Sequence, residues 1–341
     1  MMSFVVVGQV DHGKSTFCGH LLYLTKNLDN MEEREMQKLE LEAKNNPKLE
    51  KYKLSRIMDI WEEERERNKT HEFQLVDFKY NEKNYQLIDT PGHKSFIRSM
   101  IKGIYQKESN SIIGCLVVSV SKGEFESGFG NGQTKEDALL VRAVGITNLI
   151  VLINKMDEIA WDELLYKEYC SKLDKFLKKL KFQTITYIPI SGLLGIGLLN
   201  TKGMPDWYIN KSGKSFIDII DNLGTKTIGN EEKREDNTVY QTKELLVQFN
   251  ILNASLITIG YEGICHYNGG EVNYQLNKIL TINDKPFNTN GNCYSKSEDR
   301  MTCMINLEDV IDIRKGDRLL FRDKEQTVGF GKVLKLKPHK K

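Results

Sequence analysis

An α/β domain with a mostly parallel sheet, followed by a small antiparallel β-barrel domain, is the fold this sequence predicts. Three observations carry it. A phosphate-loop spacing, Gly8-Gln9-Val10-Asp11-His12-Gly13-Lys14-Ser15, stands between an apolar run and a helical one. Apolar runs then alternate with helical stretches to about residue 192, the pattern of a parallel sheet covered on both faces. From Leu245 the hydrophobic period drops to two, with turn residues between short strands. The expected division is a nucleotide-binding domain over 1–223, a linker over 224–243 and a barrel over 244–341.

The bulk properties exclude several classes. The chain has 341 residues, 40% hydrophobic and 28% charged, with a net charge of +2, so no bulk field selects a nucleic acid. The longest apolar run, near Ile112–Val120, is too short to span a bilayer, and no membrane partner is expected. The first strand begins almost at Met1, where a signal-type leader would stand. Six scattered cysteines without C-x-x-C spacing read as free thiols in a reducing cytoplasm rather than as a zinc site. A cytoplasmic monomer is the expectation.

Phe4-Val5-Val6-Val7 reads as a buried strand and Thr16–Leu22 as the first turns of a helix. Between them, Gly8, Val10, Asp11, His12 and Gly13 would wrap a phosphate with backbone N–H groups, aided by the helix dipole. Lys14 would bridge the β- and γ-phosphates, Ser15 would ligate Mg²⁺, and Thr16 completes the cradle. Residues 26–67 are highly charged, with helical stretches at Met31–Glu40 and Lys53–Arg67, and most of this region reads as a solvated insertion. Its end leads through Thr70, where a second Mg²⁺ ligand is expected, into the strand Phe73–Phe78. Tyr85–Ile88 then reads as a strand ending in Asp89-Thr90-Pro91-Gly92-His93. Asp89 takes the place of a metal-shell carboxylate, Gly92 permits close approach to a γ-phosphate, and His93 projects toward an attacking water.

Ile112–Val120 reads as another strand, Lys122–Gly132 as a Gly-rich loop and Thr134–Val144 as a helix. Leu149–Ile153 is a strand ending in Asn154-Lys155-Met156-Asp157. That N-K-x-D pattern sets a carboxylate, Asp157, against the N1–H and 2-amino edge of guanine, with the Lys155 stem over the ring. It argues for GTP and GDP over adenine nucleotides. Glu168–Lys181 reads as an amphipathic helix. After the strand Thr186–Ile190, the turn of Ser191, Gly192 and Leu193 can offer a backbone N–H to guanine O6. The tail Lys332–Lys341 is Lys-rich and reads as solvated, or as a contact to RNA phosphates.

These motifs resemble the translational GTPases, most of all elongation factor 1-alpha and the release-factor and ribosome-rescue GTPases. The stretches that carry the likeness are Gly8–Thr16, Glu64–Thr70, Asp89–His93, Gly123–Phe125 with Asn131–Thr134, Asn154–Asp157 and Ser191-Gly192. Phe249–Asn253, Gly260-Tyr261, Phe321–Asp323 and Gln326–Gly329 resemble the family's third domain. The resemblance implies a P-loop GTPase in which Thr70 and Gly92 hold the γ-phosphate, Lys14 stabilises charge and His93 orients water. It implies GTP/GDP and Mg²⁺ as cofactors and the ribosome as partner, with tRNA or a decoding-type protein as further candidates.

Three departures qualify it. Relatives carry a second barrel between the two domains, where this chain has only the expected linker. The Gly-Ile that relatives place before the switch threonine is Asn68-Lys69, and their usual phosphate-loop histidine is Gln9. The competing reading is a GTP-gated binding module or decoy that hydrolyses little and works through its barrel, with a decoding-type protein as partner. The related sulfate-activating GTPase subunit is a third, against which the charged insertion weighs.

Overall fold

The computed structural model describes residues 1–25, 34, 37–38, 41, 54, 74–89, 112–130, 133–227, 238–254, 256–268, 270–287, 294–323 and 326–337. The chain forms two compact units, one built on a six-stranded mixed sheet and one on a barrel, with residues 138–146 grouping with the second.

The sheet of the first unit has the order β2-β3-β1-β4-β5-β6. Its strands are β1 (Met2–Val7), β2 (Gln74–Tyr80), β3 (Lys83–Asp89), β4 (Ile112–Ser119), β5 (Asn148–Asn154) and β6 (Thr184–Pro189). Only β2 runs antiparallel, joined to β3 by a two-residue turn at Asn81 and Glu82. Both turn residues have positive φ, 46° and 62°, as a hairpin matched to the strand twist requires. The other neighbours pair in parallel. Along β4 and β5 every residue is buried, which is why those strands read as unbroken apolar runs.

The register brings one end of the sheet together. Val6 pairs with Asp89, Val7 with Leu116, Ser119 with Asn154 and Ile153 with Pro189. The carboxyl ends of β1, β3, β5 and β6 therefore lie on the same edge of the sheet. β1 is flanked by β3 on one side and β4 on the other, the place where open α/β sheets hold their ligands.

The helices are α1 (Lys14–Leu24), α2 (Glu124–Phe129), α3 (Gln133–Ala143), α4 (Glu163–Leu177), α5 (Asp206–Ile209) and α6 (Phe216–Thr227), all of the first unit except that α3 from residue 138 on groups with the second. α1 and α6 share a core with one face of the sheet, in which Phe216 meets Phe4 and Phe17 edge-on at 5.4 and 5.0 Å.

The second unit closes on itself. Its strands are β7 (Tyr240–Ile251), β8 (Glu262–Tyr267), β9 (Gly270–Ile282), β10 (Lys285–Pro286), β11 (Arg300–Ile313), β12 (Arg318–Asp323) and β13 (Gln326–Lys337). The antiparallel order β9-β11-β7-β13-β12-β8 returns to β9, leaving only the short β10 outside the ring. Its interior is filled by alternate residues such as Val247, Phe249, Cys303, Ile305 and Phe321.

Four sequence expectations are corrected. The loop expected at Lys122–Gly132 contains α2, which Gly123 starts with a φ of 83° and whose Phe125 and Phe129 rings stack at 5.6 Å. α4 begins ahead of Glu168, because Asp162 caps it by accepting from the N–H groups of Leu164 and Leu165. The expected linker 224–243 loses both ends: α6 runs to Thr227 and β7 begins at Tyr240. β11 was not expected, although Met301, Cys303, Ile305 and Leu307 alternate into the core. The expected helices of 26–67 fall outside the described residues but for isolated positions.

Among the described residues no helix is long and apolar enough to cross a membrane. Cys18, Cys115, Cys170, Cys265 and Cys303 are free thiols.

Candidate nucleotide-binding site

The site is built from β1 outward. The strand ends at Val7, and Gly8 follows with a φ of 148°. A Cβ there would stand 2.4 Å from the Val117 carbonyl oxygen, so the loop can leave β1 only through glycine. The turn passes through Asp11, whose φ is 66°, to Gly13, whose φ is 88°. Gly13 caps α1 and brings no side-chain acceptor to its first turn. The N–H groups of that turn face the loop as donors for an anion. A Cβ on Gly13 would lie 2.5 Å from Asn154 Nδ2. Phosphate groups fit this cradle: it is backbone-lined, capped by no carboxylate, and entered by a lysine.

That lysine is Lys14, 8% exposed. Its Nζ donates to the carbonyl oxygens of Gly8 at 2.5 Å and Gln9 at 2.9 Å. Gln9 itself is tied outward: Nε2 donates to Ser127 Oγ at 3.4 Å and Oε1 accepts from Gln133 N at 3.4 Å. His12 is buried, with Nδ1 3.3 Å from the Val117 carbonyl and Nε2 3.3 Å from that of Glu124. Burial lowers its pKa below the ordinary histidine value, against the pull of those two carbonyls, and in the neutral form the single ring N–H can donate to only one of them. Val10 is exposed, Ser15 and Thr16 half-buried.

Asn154, at the end of β5, joins three loops. Its Nδ2 donates to the His12 carbonyl at 2.9 Å, and its Oδ1 accepts from Gly192 N at 2.8 Å. The sequence placed Asn154 among the nucleotide-binding residues; the structure shows its amide tying the phosphate loop to the Ser191-Gly192 turn. Lys155 has a φ of 65°, and its Nζ pairs with Glu124 Oε2 at 2.6 Å. Asp157 is half-buried in the 3₁₀ turn Met156–Ile159. Ser191 is buried, and its Oγ accepts from Leu194 N at 3.1 Å. His20 Nδ1 lies 2.7 Å from the Gly192 carbonyl, so α1 also holds that loop. Leu193 is half-buried beside it.

Asp89 ends β3 in register with Val6, one strand away from the phosphate loop. Ser15, in the first turn of α1, is the other described candidate for Mg²⁺. Among the described residues no cluster of three or more His, Cys, Asp or Glu forms a metal cage. A Mg²⁺ shared with phosphates takes only one or two protein ligands, so this donor set fits it. Thr70, Gly92 and His93 lie outside the described residues.

His20 was missed by sequence reasoning, and Glu124 and Gln133 were noted only within stretches that resemble the family, with no role assigned. Each acts across a long sequence separation, which a local pattern does not report.

Residues 1–253 match the model of the family described as the elongation factor Tu GTP binding domain. The chain is 40% identical over 227 residues to elongation factor 1-alpha of Aeropyrum pernix, a match covering 65% of this chain and 49% of that protein. It is 40% identical over 232 residues to the eukaryotic peptide chain release factor GTP-binding subunit of Debaryomyces hansenii, covering 66% of this chain and 31% of that one. The chain thus spans about half the length of the first relative, and less of the second. Among solved structures, the S. cerevisiae Ski7 GTPase-like domain, bound to GDP and inorganic phosphate, superposes with a TM-score of 0.74 at 16% identity, covering 97% of each chain. At that identity the likeness is one of fold.

Proposed function

This chain belongs to the elongation factor Tu GTP-binding domain family, and from that membership we propose that it is a Mg²⁺-dependent guanine-nucleotide switch that hydrolyses GTP and acts at the ribosome. The observation that carries the reading is the convergence of the phosphate loop, the N-K-x-D turn and the Ser191-Gly192 turn, tied through one amide, that of Asn154.

The proposed roles are these. Lys14 exchanges the Gly8 and Gln9 carbonyls for β- and γ-phosphate oxygens, which are stronger acceptors. Gly8, Val10, Asp11, His12, Gly13 and Thr16 present the surrounding backbone. Asp157 selects guanine, Lys155 covers the ring while Glu124 holds its ammonium, and the Ser191–Leu193 turn offers N–H groups to O6. Ser15, Thr70 and Asp89 are the proposed Mg²⁺ shell; the ion neutralises charge on the phosphates. Thr70 and Gly92 report the γ-phosphate, and His93 orients the water. The division into a nucleotide-binding domain and a barrel is proposed as the functional one, with the connection shortened to residues 228–239 and the barrel as the partner surface.

A second reading keeps the switch and reduces the hydrolysis. Gln9, which stands where relatives have a phosphate-loop histidine, is held by Ser127 and Gln133, whereas the apolar shield that Lys69 cannot form would, if lost, raise the basal rate rather than lower it. GTP turnover with and without ribosomes decides between the two. Stimulated turnover that His93→Ala abolishes, with GTP affinity unchanged, supports the enzyme. GTP binding with no stimulated turnover supports the binding module. Absence of guanine-nucleotide binding would sink both.

A further inference from the structure

A buried carboxylate behind the phosphate loop has no part in the roles above. Asp137, in α3, is 6% exposed. Its Oδ1 accepts from Gln133 Nε2 at 3.3 Å, while its Oδ2 has no hydrogen-bond partner among the described residues. Thr134 lies three residues earlier, on the same face of the helix, 1% exposed, and its Oγ1 also has no such partner. A buried carboxylate with an unmatched oxygen is costly to keep charged. Burial is the largest influence and pushes its pKa up to about 7. Lys14, the Gln133 amide and the Gly8 N–H pull the other way, and Glu136 adds to the rise.

We infer that Asp137 is a positioning residue of the phosphate loop, and that its carboxyl group takes up a solvent proton when a nucleoside di- or triphosphate enters the loop. The inference rests on the guanine-nucleotide reading. Lys14 partly balances the Asp137 charge while its Nζ rests on the Gly8 and Gln9 carbonyls. Phosphates in the loop bring several negative charges and draw Lys14 toward themselves. Both changes disfavour a second anion behind the loop, and protonation removes it. The protonated group also gains an O–H that can donate, which the ionised group lacks.

The sign of the linkage is definite. Proton uptake on binding means that affinity falls as pH rises through the pKa of the free protein. Asp137→Asn keeps the shape and removes the charge permanently. A packing role alone predicts weaker nucleotide binding by the variant; proton coupling predicts tighter binding at high pH.

The test is calorimetric titration of the full chain with GDP, in two buffers of different ionisation enthalpy. At pH 7 the wild type is expected to take up about 0.3–0.5 more protons per GDP than Asp137→Asn. GDP should bind the variant about three- to tenfold tighter than the wild type at pH 8, and within about twofold of it at pH 6. Asp137→Ser is a second neutral variant with the same expected proton count should the first fail to fold. Equal proton counts in wild type and variant, with GDP bound by both, would overturn this inference alone. No GDP binding by the wild type would overturn the nucleotide reading, and the inference with it.

Discussion

Asn154 spends its amide on the protein, and that sets what its loss costs. Asn154→Ala would leave the His12 carbonyl and the Gly192 N–H without their partner inside a buried site. Each unsatisfied group costs about 1–3 kcal/mol. The expected result is a lower unfolding midpoint together with weaker GDP binding, read by denaturation and titration; a variant with both unchanged would show that the tie is dispensable. Asp157 differs, because its carboxylate is proposed to meet the N1–H and 2-amino edge of guanine. Asp157→Asn should weaken GTP by about 1.5–3 kcal/mol, the value of a hydrogen bond to a charged group, and favour a xanthine nucleotide. Equal GTP affinity in a competition titration would refute the assignment. These residues were legible because their constraints are local: a glycine at positive φ, a lysine one residue on, a carboxylate three residues after an asparagine. Glu124 and Asp137 were not. A carboxylate on a helix reads as solvated until the fold sets it 2.6 Å from Lys155 or behind Gly8.

Elements were legible where burial is two-sided or alternation is strict. β4 and β5 announce themselves as apolar runs, and β7 by Leu245, Val247, Phe249 and Ile251. α2 did not, since its start depends on the conformation of Gly123 and its stability on an aromatic cluster, including Phe125 against Tyr169 at 4.3 Å, from a distant helix. α6 holds a different part of the site. Its first residue, Phe216, is fully buried between Phe4 of β1 and Phe17 of α1, the two elements that flank the phosphate loop. Phe216→Ala should cost about 3–5 kcal/mol of stability by opening a cavity there. Chemical denaturation measures it, and nucleotide affinity should fall as well because α1 loses its support. A cost below about 1 kcal/mol would mean that the core collapses around the site and that α6 does not brace the loop.

At the scale of the whole molecule, the length of the connection between the two units bears on whether the chain can deliver tRNA. α6 ends at Thr227 and β7 begins at Tyr240, so only residues 228–239 lie between the last helix of the first unit and the first strand of the barrel. No barrel of several strands can be built from that length, since a single strand takes three to ten residues. In the relatives the chain resembles, the aminoacyl end of tRNA sits in a crevice whose one wall is the second barrel. Here that wall is not supplied between α6 and β7. The third-domain contact in those relatives is to phosphate and ribose, which sets position without selecting the amino acid. A barrel surface with a basic C-terminal stretch, including Lys332, Lys335 and Lys337, can retain salt-sensitive RNA affinity on that basis. It is not expected to distinguish charged from uncharged tRNA. The prediction is that this chain, with GTP bound, leaves the aminoacyl ester to hydrolyse at its free rate, and binds charged and uncharged tRNA alike, if at all. Ester half-life at micromolar protein measures the first and competition between the two tRNA forms the second. Clear protection of the ester would show that residues 228–239 or another surface replaces the missing wall, and would return the chain to tRNA delivery. Its absence, with ribosome-stimulated GTP turnover present, places the chain with factors that use the switch without carrying an amino acid.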